Sequence, residues 1–281
     1  MLLAAIVLPV PLTATTVVVF IANNGIVVSS DSKTVSRSAD FSAVGEVDQP
    51  KFVVLQNRIV VAAIGVSDAR DAVRHYNFLT WMKSLQQSLP VDVSVDEVTN
   101  LIERESAATF LSFDFNASLK SGAMKRKTPA EPCEVFAQFV IVGYQDRAPR
   151  VNKVQFDIDW NNQSLVGPIQ TSIYPDPSET SNYRVIRFGT QQAITDVFNR
   201  KSYAYHEAMT LCPKAMTDVI NRKYPSLDET VALSRVLVQV EENTNPDDVG
   251  GDIRSVKIPP TGRAEEVATR LTVAKTKATK Q

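Results

Sequence analysis

The chain has 281 residues, of which 44% are hydrophobic and 22% charged, with a formal net charge of -1. That balance belongs to an ordinary globular protein rather than a disordered one, and without a basic excess it argues against a nucleic-acid partner. Two cysteines, Cys133 and Cys212, exclude a disulfide-dense scaffold, and two histidines, His75 and His206, leave little for histidine catalysis or a histidine metal site.

The first fourteen residues, MLLAAIVLPVPLTA, carry no charge. They are too short to span a bilayer as a helix, and they resemble the hydrophobic part of a secretory signal peptide ending at the small residue Ala14. The expectation is a removed segment over 1–14, with export to the periplasm or the medium if it is a signal peptide and a cytoplasmic protein otherwise. No later stretch suggests a membrane span in the mature form.

From Thr16 to Ser29 a β-branched run is broken at Asn23-Asn24-Gly25, which predicts a hairpin. Strands follow at Lys51–Leu55 and Arg58–Ile64, with a turn at Gln56-Asn57. Apolar residues stepping by three and four from Ala69 through Tyr76 to Leu89 predict one helix over 67–89, with His75 on its polar side. Ser94 with Glu97 forms a capping-box pattern and opens a second helix over 95–109.

Residues 118–132 read as a polar surface loop. Strands are expected at 135–142 and 151–160, joined by a turn at 143–146, and again at 183–188. Helices are expected at 191–208 and 227–241, the second opened by the capping box Ser226 and Glu229. A last strand, 253–258, precedes a Lys-rich tail over 261–281. Blocks of strands alternating with blocks of helices point to an α+β protein with its domain over 15–260.

Familiar catalytic patterns fail. The chain has no G-x-S-x-G, no phosphate-binding glycine loop and no C-x-x-C, and His206-Glu207 lacks a second histidine four residues on, where Thr210 stands. Cys133 and Cys212 are left as a potential pair in an exported protein.

What remains is Thr15, which becomes N-terminal if 1–14 is lost. A hydroxyl needs a base to take its proton, and a free α-amino group on the same residue supplies one. Such a site needs a nearby cation to lower the amine's pKa, a carboxylate to hold that cation, and an N–H for the oxyanion.

Three segments carry a resemblance: Thr15-Thr16-Val17 through Gly25-Ile26-Val27-Val28-Ser29-Ser30-Asp31, then Pro50-Lys51-Phe52, then Ala63-Ile64-Gly65-Val66-Ser67-Asp68. Together they resemble a proteasome β-type subunit of the N-terminal nucleophile hydrolase superfamily. In that family an acidic residue follows the threonine by sixteen positions, as Asp31 follows Thr15, and a glycine lies fourteen beyond the lysine, as Gly65 lies beyond Lys51.

The resemblance implies a four-layer αββα sandwich. It makes Thr15 the nucleophile and base, Lys51 the cation, Asp31 its partner and Gly65 the oxyanion donor. Gly143-Tyr144 sits where the family has a Gly-Tyr at a strand end, and Phe188-Gly189-Thr190 sits near a Ser-Gly turn of the family. Asp247 with Gly250-Gly251 matches an Asp-x-x-Ser-Gly motif, with Gly250 in place of its serine.

The reaction implied is hydrolysis of peptide or other amide bonds through an acyl-enzyme, with no cofactor and no metal. A homo-oligomeric ring is the assembly implied. Two other readings stand beside it: a proteasome-like scaffold without catalysis, and a non-proteolytic amidase acting on a small substrate.

Overall fold

A strand buried on both faces reads as an unbroken apolar run, and TVVVFIA at 16–22 is one: every residue of it is buried. In the computed structural model the described residues are 15–22, 24–37, 43–70, 75–112, 119–120, 133–174, 184–189, 192–221, 225–261 and 263–267. The expected leader 1–14, most of the expected loop 118–132 and residues 268–281 lie outside them.

The strands are β1 (Thr16–Ala22), β2 (Gly25–Ser30), β3 (Lys33–Arg37), β4 (Ala43–Asp48), β5 (Phe52–Leu55), β6 (Ile59–Gly65), β7 (Asp68–Arg70) and β8 (His75–Asn77). After helices α1 (Phe78–Ser88) and α2 (Val95–Ser112) come β9 (Cys133–Gln145), β10 (Ala148–Asp159), β11 (Ser164–Tyr174) and β12 (Arg184–Gly189). Helices α3 (Gln192–Thr195), α4 (Tyr203–Leu211), α5 (Pro213–Ile220) and α6 (Leu227–Thr244) precede β13 (Arg254–Ile258) and β14 (Glu265–Val267).

Two five-stranded antiparallel sheets result, in the orders β12-β1-β2-β13-β14 and β11-β10-β9-β6-β5. Their facing sides share one core. Val17, Val19 and Ile21 of β1 and Val28 of β2 pack there with Val60, Ala62 and Ile64 of β6 and Val140 of β9. The alternate residues point outward into two further cores. Val18 and Phe20 meet Val236, Leu237 and Val240 of α6, while Val61 and Ala63 meet Phe78, Met82 and Ile102 of α1 and α2. The layers are therefore helix, sheet, sheet, helix: the α+β αββα sandwich expected above.

The outer core under α2 is aromatic. Phe110 lies 4.9 Å from Phe156, 5.6 Å from Phe136 and 5.2 Å from Tyr76, ring centre to ring centre, all near edge-to-face. Such geometry sets the positive ring edge against the negative face.

Both expected capping boxes form. Glu97 N–H donates to Ser94 Oγ at 3.1 Å while Ser94 N–H donates to Glu97 Oε2 at 2.7 Å, and Ser226 with Glu229 repeats the arrangement. The first hairpin closes with Ala22 opposite Gly25.

Several elements differ from the expectation. The single helix over 67–89 is replaced by the ribbon β7–β8 followed by α1. The Asn77 side chain accepts from Thr80 N–H at 3.1 Å and starts the helix at Phe78, whose N–H bonds back to the Ser67 carbonyl. His75 is thus an exposed strand residue, 3.1 Å from Asp68 Oδ2.

The expected helix 191–208 is broken into α3 and α4, because Ser202 caps a new start by accepting from Tyr205 N–H at 3.0 Å. Helix α5, opened by Pro213, and strand β11 were not foreseen. The turn between β9 and β10 is Asp146-Arg147, both at positive φ, rather than 143–146. β14 extends the first sheet past the boundary drawn at 260, and there the Arg235 guanidinium donates to the Val267 carbonyl and to Ser255 Oγ. Cys133 and Cys212 are free thiols.

Replacing Phe110 with Ala removes the hub of the aromatic core and is expected to cost about 3–5 kcal/mol. The denaturant midpoint should fall accordingly; a change below about 1 kcal/mol would contradict this packing.

Candidate active site

Thr15 and Thr16 enter β1 at the end of the sandwich where β2 leaves. The register Val17↔Ser30 continues by one pair, so Thr16 faces Asp31. Thr16 N–H donates to Asp31 Oδ1 at 2.8 Å, and Asp31 N–H returns to the Thr16 carbonyl at 3.4 Å. The hairpin register thus sets Asp31 opposite Thr16, one residue along from Thr15.

The second spacing has the same origin. Phe52 pairs with Ala62, and the Lys51 carbonyl accepts from Ala63 N–H at 2.8 Å. With the turn at Gln56-Asn57 fixed by positive φ at both residues, Gly65 falls at the end of β6 on the side of Lys51. Gly65 has φ +82°, and a Cβ there would collide with the Phe136 carbonyl, so glycine is required for that exit.

Thr15, Asp31 and Lys51 are all buried, at 1%, 0% and 4% exposure. Asp31 comes from the first sheet and Lys51 from the second. Burial pushes the Asp31 carboxyl up to about 7, against the Lys51 charge and the N–H groups of Thr16 and Gly250, which pull it down. Burial likewise pulls the Lys51 ammonium down to about 8, against the charges of Asp31 and Asp48. Each group carries its charge because of the other.

Two glycine turns close around this pair. Thr16 pairs with Gly189, which has φ +76°, and a Cβ on Gly189 would strike the Thr15 carbonyl. The Gly250 carbonyl accepts from Lys33 N–H at 2.9 Å and Ser32 N–H at 3.2 Å, which holds the 250–251 turn against the residues after Asp31. Gly251, at φ +78°, leaves room for a bond from Ser32 Oγ to Asp48 Oδ1.

Thr15, Asp31, Lys51 and Gly65 therefore gather at one end of the sandwich. Asp247 sits exposed in the turn after α6, on the approach to Gly250, outside that buried group. Sequence reasoning did not pick out Ser32 and Asp48. Asp48 ends a strand of a polar ribbon, and nothing in its neighbours signals that its charge acts on Lys51.

Among the described residues no group of three or more His, Cys, Asp or Glu could hold a metal, and no helix is long and apolar enough to cross a membrane.

No family model and no curated protein matches the chain. Among solved structures it is similar to the Anbu (Gly-1) mutant from Hyphomicrobium sp. strain MC1, at 13% identity and a TM-score of 0.42, over 90% of this chain and 87% of that one. A likeness this loose transfers no residue role, and the site rests on the chain's own geometry.

The paired shifts set a pH dependence. A carboxyl raised from 3.8 to about 7 binds its proton more tightly in the folded protein, so its contribution to stability falls as pH rises from about 4 to 7. An ammonium lowered from 10.5 to about 8 binds its proton less tightly, so its contribution recovers as pH rises from about 8 to 10.5. The two together predict a trough near pH 7–8. Urea unfolding across pH should show the double replacement Asp31→Asn, Lys51→Met flattening that trough; an unaltered profile would refute it. In Lys51→Met alone, carboxyl NMR should find Asp31 titrating above about 7.

Proposed function

We propose that the chain is a threonine-type N-terminal nucleophile hydrolase that cleaves peptide or other amide bonds, with Thr15 exposed by removal of residues 1–14. The observation that carries this reading is buried Asp31, bonded to the Thr16 N–H beside Thr15 and coupled by charge to buried Lys51. A buried charge pair is a poor device for stability alone, since hydrophobic residues of similar volume usually serve as well. Lysine held near the bottom of its range is suited to lowering an adjacent amine's pKa and moving protons at neutral pH.

In the reaction, the Thr15 α-amine takes the proton of its own Oγ as Oγ attacks the substrate carbonyl carbon. The carbonyl oxygen becomes an oxyanion facing the Gly65 N–H. Collapse breaks the C–N bond, and the proton passes to the leaving amine. Water, deprotonated by the same α-amine, then attacks the ester and releases the acid, returning the proton to Thr15 Oγ. No metal or cofactor enters these steps. If the leader is a signal peptide, export and activation are one event, and assembly into a homo-oligomeric ring accompanies this reading.

One observation favours a second reading, a sandwich that has kept its layers but not its chemistry. Gly250 stands where the resembled family has a serine, so no side-chain hydroxyl is supplied from that turn.

Two measurements decide. Sequencing the N-terminus of protein recovered from an exporting host should give Thr15; a different mature start excludes this nucleophile. Thr15→Ala should lower hydrolysis of fluorogenic peptide amides at least ~10³-fold and abolish labelling by a threonine-directed electrophile. Absence of both activities in the correctly processed protein would favour the scaffold.

A further inference from the structure

The opposite end of the sandwich holds a cavity. Ile258 pairs with Ile26 near the closed end of the β1–β2 hairpin, and the turns at 56–58 and 146–147 cap the far ends of β5–β6 and β9–β10. Thr15, Asp31 and Gly65 all lie at the other end of these same strands. Between the turns opens a space of about 540 Å³, within the range of small-molecule sites.

Its lining is unusually cationic for a chain of net charge -1. Arg58, Arg147 and Arg263 all border it, and the acidic residue among the lining is Asp146. Arg58 is half-buried. One of its terminal nitrogens donates to the Val93 carbonyl at 2.8 Å, while its Nε is buried with no hydrogen-bond partner among the described residues. Among the described residues no carboxylate pairs with any of the three guanidiniums.

The frame holding these groups is fixed. Gln56, Asn57, Asp146 and Arg147 occupy the left-handed region, and the Asn57 carbonyl accepts from Ala264 N–H at 2.7 Å, tying the segment after β13 to the β5–β6 turn. Three arginines around one cavity bring planar donor forks of the kind that match the oxygens of a phosphoryl group. Tyr144, Ile258, Pro259 and Pro260 supply an apolar wall. The volume exceeds that of a lone phosphate.

We propose that this cavity binds a small phosphorylated molecule, its phosphoryl group on Arg58, Arg147 and Arg263 and its apolar body against Tyr144 and the two prolines. The net charge of the three arginines and Asp146 favours a dianion or higher over a single carboxylate. The site is independent of Thr15 and does not rest on the proposed hydrolase activity.

Arg147 and Arg263 are exposed, so replacing both with Gln should leave the thermal midpoint unchanged. Titration calorimetry at low ionic strength, with pyrophosphate, phenyl phosphate and citrate as probes, tests the site on the full chain. Expected are saturable binding of phenyl phosphate and pyrophosphate, at least tenfold weakened in Arg147→Gln, Arg263→Gln, with Thr15→Ala binding as the parent does. Binding of neither phosphate probe below about 10 mM, binding of citrate alone, or phosphate binding unaffected by the double replacement would each overturn the proposal.

Discussion

Two opposite charges buried where two sheets meet constrain this fold more tightly than its apolar pattern does. β1 and β6 are apolar on both faces, so sliding either by one residue exchanges one apolar face for another and the pattern alone resists little. Sliding β2 against β1 is different, because it takes Asp31 away from the Thr16 N–H and from the ammonium of Lys51 on the other sheet. Neither group can afford its charge alone in that interior. The pair therefore fixes register within the first sheet and alignment between the two.

The same burial shapes the chemistry available. Desolvation raises the Asp31 carboxyl and lowers the Lys51 ammonium, so the two groups approach each other on the pH scale. The glycines around the pair have a complementary role. At 65, 189 and 251 the backbone takes positive φ beside a carbonyl or carboxylate that leaves no space for a Cβ, which lets three separate turns approach the threonine end closely.

Legibility in the sequence followed the length scale of each interaction. The hairpins, both capping boxes and the Thr15, Asp31, Lys51 and Gly65 spacings depend on contacts a few residues to a few tens of residues apart, and register converts such spacing into geometry. The α+β class was readable for the same reason. The helix over 67–89 failed because Ala69, Val73 and Tyr76 mimic a helical step while Asn77, a strong cap, sets the true start. β11 was hidden because it is an edge strand with mostly half-exposed or exposed side chains and no alternation. Asp48 was hidden because its effect on Lys51 depends on a ribbon folding back across the sheet end, which no local pattern records.

The anchoring of Val267 has a practical meaning for where the protein ends. Arg235, buried within α6, gives hydrogen bonds to the Val267 carbonyl and to Ser255, and Ser255 in turn meets Ser29 at 2.7 Å. One guanidinium thus stitches the outer helix to β2, β13 and β14 together. A chain trimmed at Pro260 would look tidy by composition yet would strip a buried cation of an acceptor, so the fold reaches at least to Val267.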